Sequence, residues 1–138
     1  RYGHERGDST MRRMLLLAVL VLAGCAANRP AGPPPHYVVF FQAWSAKLDE
    51  PALGAISAAA VWAKEHPRSA VTVSGFADPE GGPQANKDLS RLRAQVVADA
   101  LVKDGVPAAR IRREALGSVN FTLDSLESRR VEIALGAG

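Results

Sequence analysis

From residue 36 onward, hydrophobic positions switch between strand-like and helix-like periods, and each switch marks an element. Residues 37–41 (YVVFF) are β-branched and aromatic, which predicts a short buried strand. Asp49, Glu50 and Pro51 then open a helix, since Asp49 can cap it and proline is tolerated in a first turn. Leu53, Ile56, Ala60 and Ala63 recur at helical spacing and predict its core face. His66-Pro67 ends it, because the residue before proline is pushed out of the α region. Residues 70–74 (AVTVS) predict a second strand, and residues 75–84 (GFADPEGGPQ) a Gly- and Pro-dense loop. A longer helix follows over about 85–103, with Leu89, Leu92, Val96, Ala100 and Leu101 on its inner face; Asp104-Gly105 terminates it. Residues 111–115 and 130–135 predict two more strands, with a short helical turn between them in 120–128. The order β-α-β-α-β-β predicts an α/β two-layer sandwich, with both helices packed on one mixed four-stranded sheet.

The residues ahead of this pattern follow another logic. Met11-Arg12-Arg13 precedes a dozen apolar residues, too few for the roughly 20 that span a bilayer, and Ala23-Gly24-Cys25 follows. A positive start, a short apolar stretch and small residues predict a signal peptide. Arg1 to Thr10 have no apolar period, and Met11 is expected to be the initiator. Leu22-Ala23-Gly24-Cys25 resembles the lipobox of bacterial lipoproteins, which implies cleavage before Cys25 and its acylation. Several acyl chains anchor stably where one is marginal. Ala26 after the cysteine, in place of Asp, makes the outer membrane the expected destination, with the protein facing the periplasm. Residues 26–35 (AANRPAGPPP) read as an extended, Pro-rich tether. The expected organisation is therefore residues 1–24 as leader, 25–35 as lipidated cysteine and tether, and 36–138 as one folded domain.

That division changes the meaning of the charge. The chain has 17 Lys+Arg and 14 Asp+Glu, a formal +3. Four arginines (Arg1, Arg6, Arg12, Arg13) and two acids (Glu5, Asp8) lie within residues 1–24, leaving the remainder near +1. No field for a nucleic-acid partner survives. A single cysteine excludes a disulfide framework, CxxC-type zinc sites and paired-thiol redox chemistry. After the leader the histidines are His36 and His66, and no nucleophile elbow, HExxH or P-loop is present. No enzyme, cofactor or metal site is expected.

The candidate chemistry lies around the second strand and second helix. Gly75-Phe76-Ala77-Asp78, then Gly81, then Asn86-Lys87-Asp88-Leu89-Ser90-Arg91-Leu92-Arg93-Ala94 resembles the OmpA-like peptidoglycan-binding domain, a family that includes the Pal lipoproteins. That family carries GHTD at a strand end, NxxLSxxRA opening a helix, and NRRV on its last strand, where this chain has Ser128-Arg129-Arg130-Val131. Residues 39–48 resemble its first strand and following loop. The resemblance implies non-covalent binding of the peptidoglycan stem peptide through its diaminopimelate, with Asp78 taking the ammonium and Arg93 the carboxylate. A zwitterion needs a fixed anion and a fixed cation close together, and the planar arginine fork matches a carboxylate. Asn86 reads equally as a ligand contact or a helix N-cap, and Gly75 and Gly81 as places where backbone N–H groups approach the ligand. Arg129 and Arg130 point to opposite faces of a strand, so at most one is expected to reach the site, and family precedent makes Arg130 the candidate. Without the resemblance, Asp78-Pro79 reads as a turn, Arg93 as a solvated side chain, and Arg110, Arg112 and Arg113 as a basic edge. Replacing Asp78 or Arg93 is expected to abolish binding with little loss of fold.

Phe76 and Ala77 replace the family's His-Thr, Ser128 replaces an Asn, and Gln42 and Trp44 stand where acidic or Asn residues are common. The competing reading is a degenerate OmpA-like lipoprotein acting as a protein–protein interaction module among envelope proteins. Phe76, Trp44 and Trp62 would then supply apolar contacts.

Overall fold

The computed structural model describes residues 32–119 and 125–136. The expected leader, Cys25 and most of the tether lie outside them. Gly32 to Pro35 form no regular element. Strand β1 (His36–Phe40) leads through a turn to helix α1 (Glu50–Glu65), then β2 (Val71–Ala77), α2 (Pro83–Lys103), β3 (Ile111–Ser118) and β4 (Arg130–Leu135). Short 3₁₀ turns at Ala108–Arg110 and Ser125–Ser128 precede the last two strands. Residues 120–124 of the expected helical turn lie outside the described residues.

The strands form one sheet in the order β1-β4-β2-β3. β4 pairs antiparallel with both β1 and β2, and β2 pairs parallel with β3. This is the expected mixed sheet. Val39 and Phe41, Val71 and Val73, and Val131, Ile133 and Leu135 point to one side, where α1 and α2 cover them. The other side alternates into charge: Arg130 Nε lies 2.7 Å from Glu132 and Arg112 Nε 3.3 Å from Glu114. Among the described residues, every member of the core cluster lies between Val39 and Leu135.

Asp49 caps α1 as expected, its Oδ1 accepting from the Ala52 amide at 2.9 Å. The buried stripe of α1 is Ala52, Ile56, Ala59, Ala60 and Ala63, and Leu53 is exposed. Alanines let the helix lie close to the sheet, and the seam passes one position away from the leucine. Helix α2 is rotated further from expectation. Its inner face is Asn86, Ser90, Arg93, Ala94, Val97, Ala98 and Leu101, while Leu92 is 52% exposed.

Glycine explains the rotation. β2 runs three residues beyond the expected Ser74, and a Cβ on Gly75 would collide with the carbonyl oxygen of Ser90. Strand and helix therefore touch backbone to backbone here, which only glycine permits. Ser90 completes the seam, its Oγ accepting from the Gly117 amide at 3.0 Å. α2 also begins two residues early, with Pro83 in its first turn. Arg110 is not part of a solvated edge: its guanidinium donates to the carbonyls of Ala63, His66 and Ser69, each at 2.8 Å, closing the end of α1.

Candidate functional site

Three loops meet at the end of β2: the turn after β1, residues 78–82 after β2, and residues 128–129 before β4. Arg93 ties the first of them to the end of β2 from below. It is fully buried, with its guanidinium 5.2 Å from the Phe41 ring centroid. Nε donates to Ser45 O at 2.8 Å, Nη1 to Phe76 O at 3.0 Å and Nη2 to Gln42 O at 3.0 Å. Three of its five N–H donors are used in these bonds. Burial lowers the guanidinium to about 10; the Asp78 charge raises it and that of Arg129 lowers it. It is still a cation at neutral pH. The structure thus gives Arg93 a structural duty that the sequence reading, which foresaw little loss of fold on its removal, did not include.

Asp78 follows β2 directly and lies against β4's entry. Ser128 Oγ donates to its Oδ1, and Arg129 Nη1 stands 3.4 Å from its Oδ2. Arg129 is further held by Ser125 Oγ at 2.8 Å and Phe41 O at 3.2 Å. So Arg129 reaches the site, and the expectation for Arg130 is corrected. Arg130 belongs to the other side of the sheet, over the Phe76 ring at 4.1 Å and paired with Glu132. Neighbouring strand residues face opposite ways, and only the tertiary pairing says which one meets Asp78.

Asn86 lies one turn inside α2 and is not its N-cap, a position held by Gly82. Its Nδ2 donates to Glu80 O at 2.9 Å and Ser118 Oγ at 2.8 Å, tying the loop after β2 to the end of β3. Its Oδ1 is buried and has no hydrogen-bond partner among the described residues. Orphaned buried acceptors are uncommon and cost about 1–3 kcal/mol. Trp44, Asp78, Asn86, Leu89 and Arg93 together line a narrow cleft that is too tight in this conformation to hold a water molecule.

The two expected glycine contacts divide. Gly75 lies under α2, away from the recess, and its role is packing. Gly81 has φ +90°, and a Cβ on it would lie 2.5 Å from Trp44 Cη2, so this glycine seats the indole. Trp44 itself was noted in the sequence only as a departure and an apolar contact. It has φ 53° and is 58% exposed. Positive φ on a bulky residue costs about 1–2 kcal/mol.

The model of the OmpA family matches residues 40–131, which include every one of these side chains. The chain belongs to the OmpA family. The probable lipoprotein YiaD of Escherichia coli is 39% identical over 103 residues, 70% of this chain and 47% of that protein. The peptidoglycan-associated lipoprotein of Agrobacterium fabrum is 33% identical over 79 residues, 57% of this chain and 45% of that one. This OmpA-family chain thus spans about half the length of these relatives. Among solved structures, the peptidoglycan-associated lipoprotein of Burkholderia pseudomallei aligns with a TM-score of 0.66 at 24% identity, covering 72% of this chain and 89% of that one, and shares the fold.

Proposed function

We propose that this chain is a lipoprotein of the cell envelope that binds peptidoglycan non-covalently, taking the diaminopimelate of the stem peptide in the recess of Asp78, Asn86 and Arg93. The observation that carries this reading is the orphaned Asn86 Oδ1, a buried acceptor that lines the same cleft as the Asp78 carboxylate and the Arg93 guanidinium. A diaminopimelate end fits that set. Its ammonium has donors for Asp78 and Asn86 Oδ1, and its carboxylate takes the remaining N–H groups of Arg93. Arg129 adds a second cation beside Asp78, favouring a ligand with more than one carboxylate. The names of the relatives support peptidoglycan as the source of such a ligand. Cys25 would carry the lipid and residues 26–35 the distance to the wall. The outer membrane, facing the periplasm, is the destination this reading favours.

The test is an NMR titration of residues 33–138 with a diaminopimelate-containing muropeptide. A muropeptide with lysine at the same position serves as control. Shifts at Asp78, Asn86 and Arg93 are expected, with the lysine form at least about tenfold weaker, because it lacks the carboxylate that Arg93 takes. Asp78→Asn should lose binding and keep its fold. A folded domain that shows no shifts at millimolar muropeptide would refute the reading.

A further inference from the structure

Trp44 is held in a conformation that its own packing does not repay. It is the third residue of a four-residue turn, with the Ser45 amide donating to Gln42 O at 3.2 Å. Positive φ at that place normally selects glycine or asparagine. Among the described residues it is the most exposed of the large hydrophobic side chains. Its surroundings nevertheless fix it: Arg93 grips the carbonyls of Gln42 and Ser45 on both sides of it, and Gly81 leaves the space its ring occupies. The result is an exposed indole at the rim of a narrow cleft lined by the charged groups of Asp78 and Arg93.

We infer that Trp44 is a stacking platform for a pyranose ring of the glycan, a second subsite beside the peptide recess. The inference rests on the peptidoglycan reading and adds the sugar to it. An indole face carries negative charge density, and the axial C–H groups of a pyranose present a weakly positive, apolar face to it. The rim position lets the recess hold the peptide's charged end while the sugar lies outside, against the ring. An exposed aromatic already ordered by Arg93 and Gly81 binds with little loss of side-chain entropy.

The experiment compares two probes on residues 33–138: a free diaminopimelate-containing stem peptide, and the same peptide on its disaccharide. The parent protein should bind the disaccharide form about fivefold to tenfold more tightly. Trp44→Gly, which suits the positive φ, should lose the disaccharide's advantage, the ratio of its affinities for the two forms falling to about one. Trp44→Phe should retain part of the gain and checks the fold independently. With Trp62 changed to Phe, the remaining indole emission should shift with the disaccharide peptide and not with the free one. Equal binding of both probes by the parent overturns the platform and leaves the peptide site standing. Equal loss of both probes in Trp44→Gly assigns the indole to the peptide and also overturns it. Binding of neither probe by the parent overturns both readings.

Discussion

Arg93 is the residue on which site and fold meet. Its side chain satisfies two carbonyls of the turn after β1 and one near the end of strand β2, so a single group ties the turn that carries Trp44 to the strand that leads to Asp78. Arg93→Ala would leave three acceptors without donors in a closed space, at about 1–3 kcal/mol for each that stays dry. We expect a total of about 3 kcal/mol or more, lowering Tm by on the order of 15 °C, read by thermal denaturation. An unchanged Tm would return Arg93 to a purely ligand-binding role. The familiar helix-opening motif is therefore mostly scaffold: Ser90 and Ala94 serve the seam with Gly75 and β3, and Asn86 uses one side of its amide for structure. Its other side, the orphaned oxygen, is what remains for a ligand.

At the scale of elements, α2 shows how far periodicity carries. Its existence, its end at Asp104-Gly105 and much of its length are legible from 3.6-residue spacing and a glycine terminator. Which stripe turns inward is not. Ala94 and Ser90 must face Gly75, and that demand moves Leu92 to the surface. Leu101→Ala should cost about 2–4 kcal/mol, whereas Leu92→Ala should stay within about 0.5 kcal/mol. Urea denaturation of the two variants measures the difference, and equal losses would contradict the rotated face. The strand ends follow the same rule. β2 and β3 both run past their expected limits, because pairing continues for as long as the partner strand supplies backbone groups, whatever the local turn propensity.

On the scale of the whole molecule, the proposed reading gives the lipid anchor and the domain separate jobs. The acylation proposed at Cys25 predicts that Cys25→Ala moves the protein from the membrane fraction to the soluble envelope fraction while residues 33–138 keep their fold. Retention in the membrane fraction would mean a different anchor. Much of this protein was determined by its sequence alone: the order of the elements, the two-layer class, and the presence of one acid and one guanidinium near the end of β2. These follow from local patterns, which any chain segment carries within itself. The tertiary structure decided the rest. It chose Arg129 over Arg130 as the neighbour of Asp78, gave Gly75 to packing and Gly81 to Trp44, and made Arg93 a clamp. The physical reason is the range of the contacts: Arg93 reaches Ser45 across 48 positions and Arg129 reaches Asp78 across 51. Local periodicity carries no information about partners that far apart; they are set when sheet register and helix rotation are settled together.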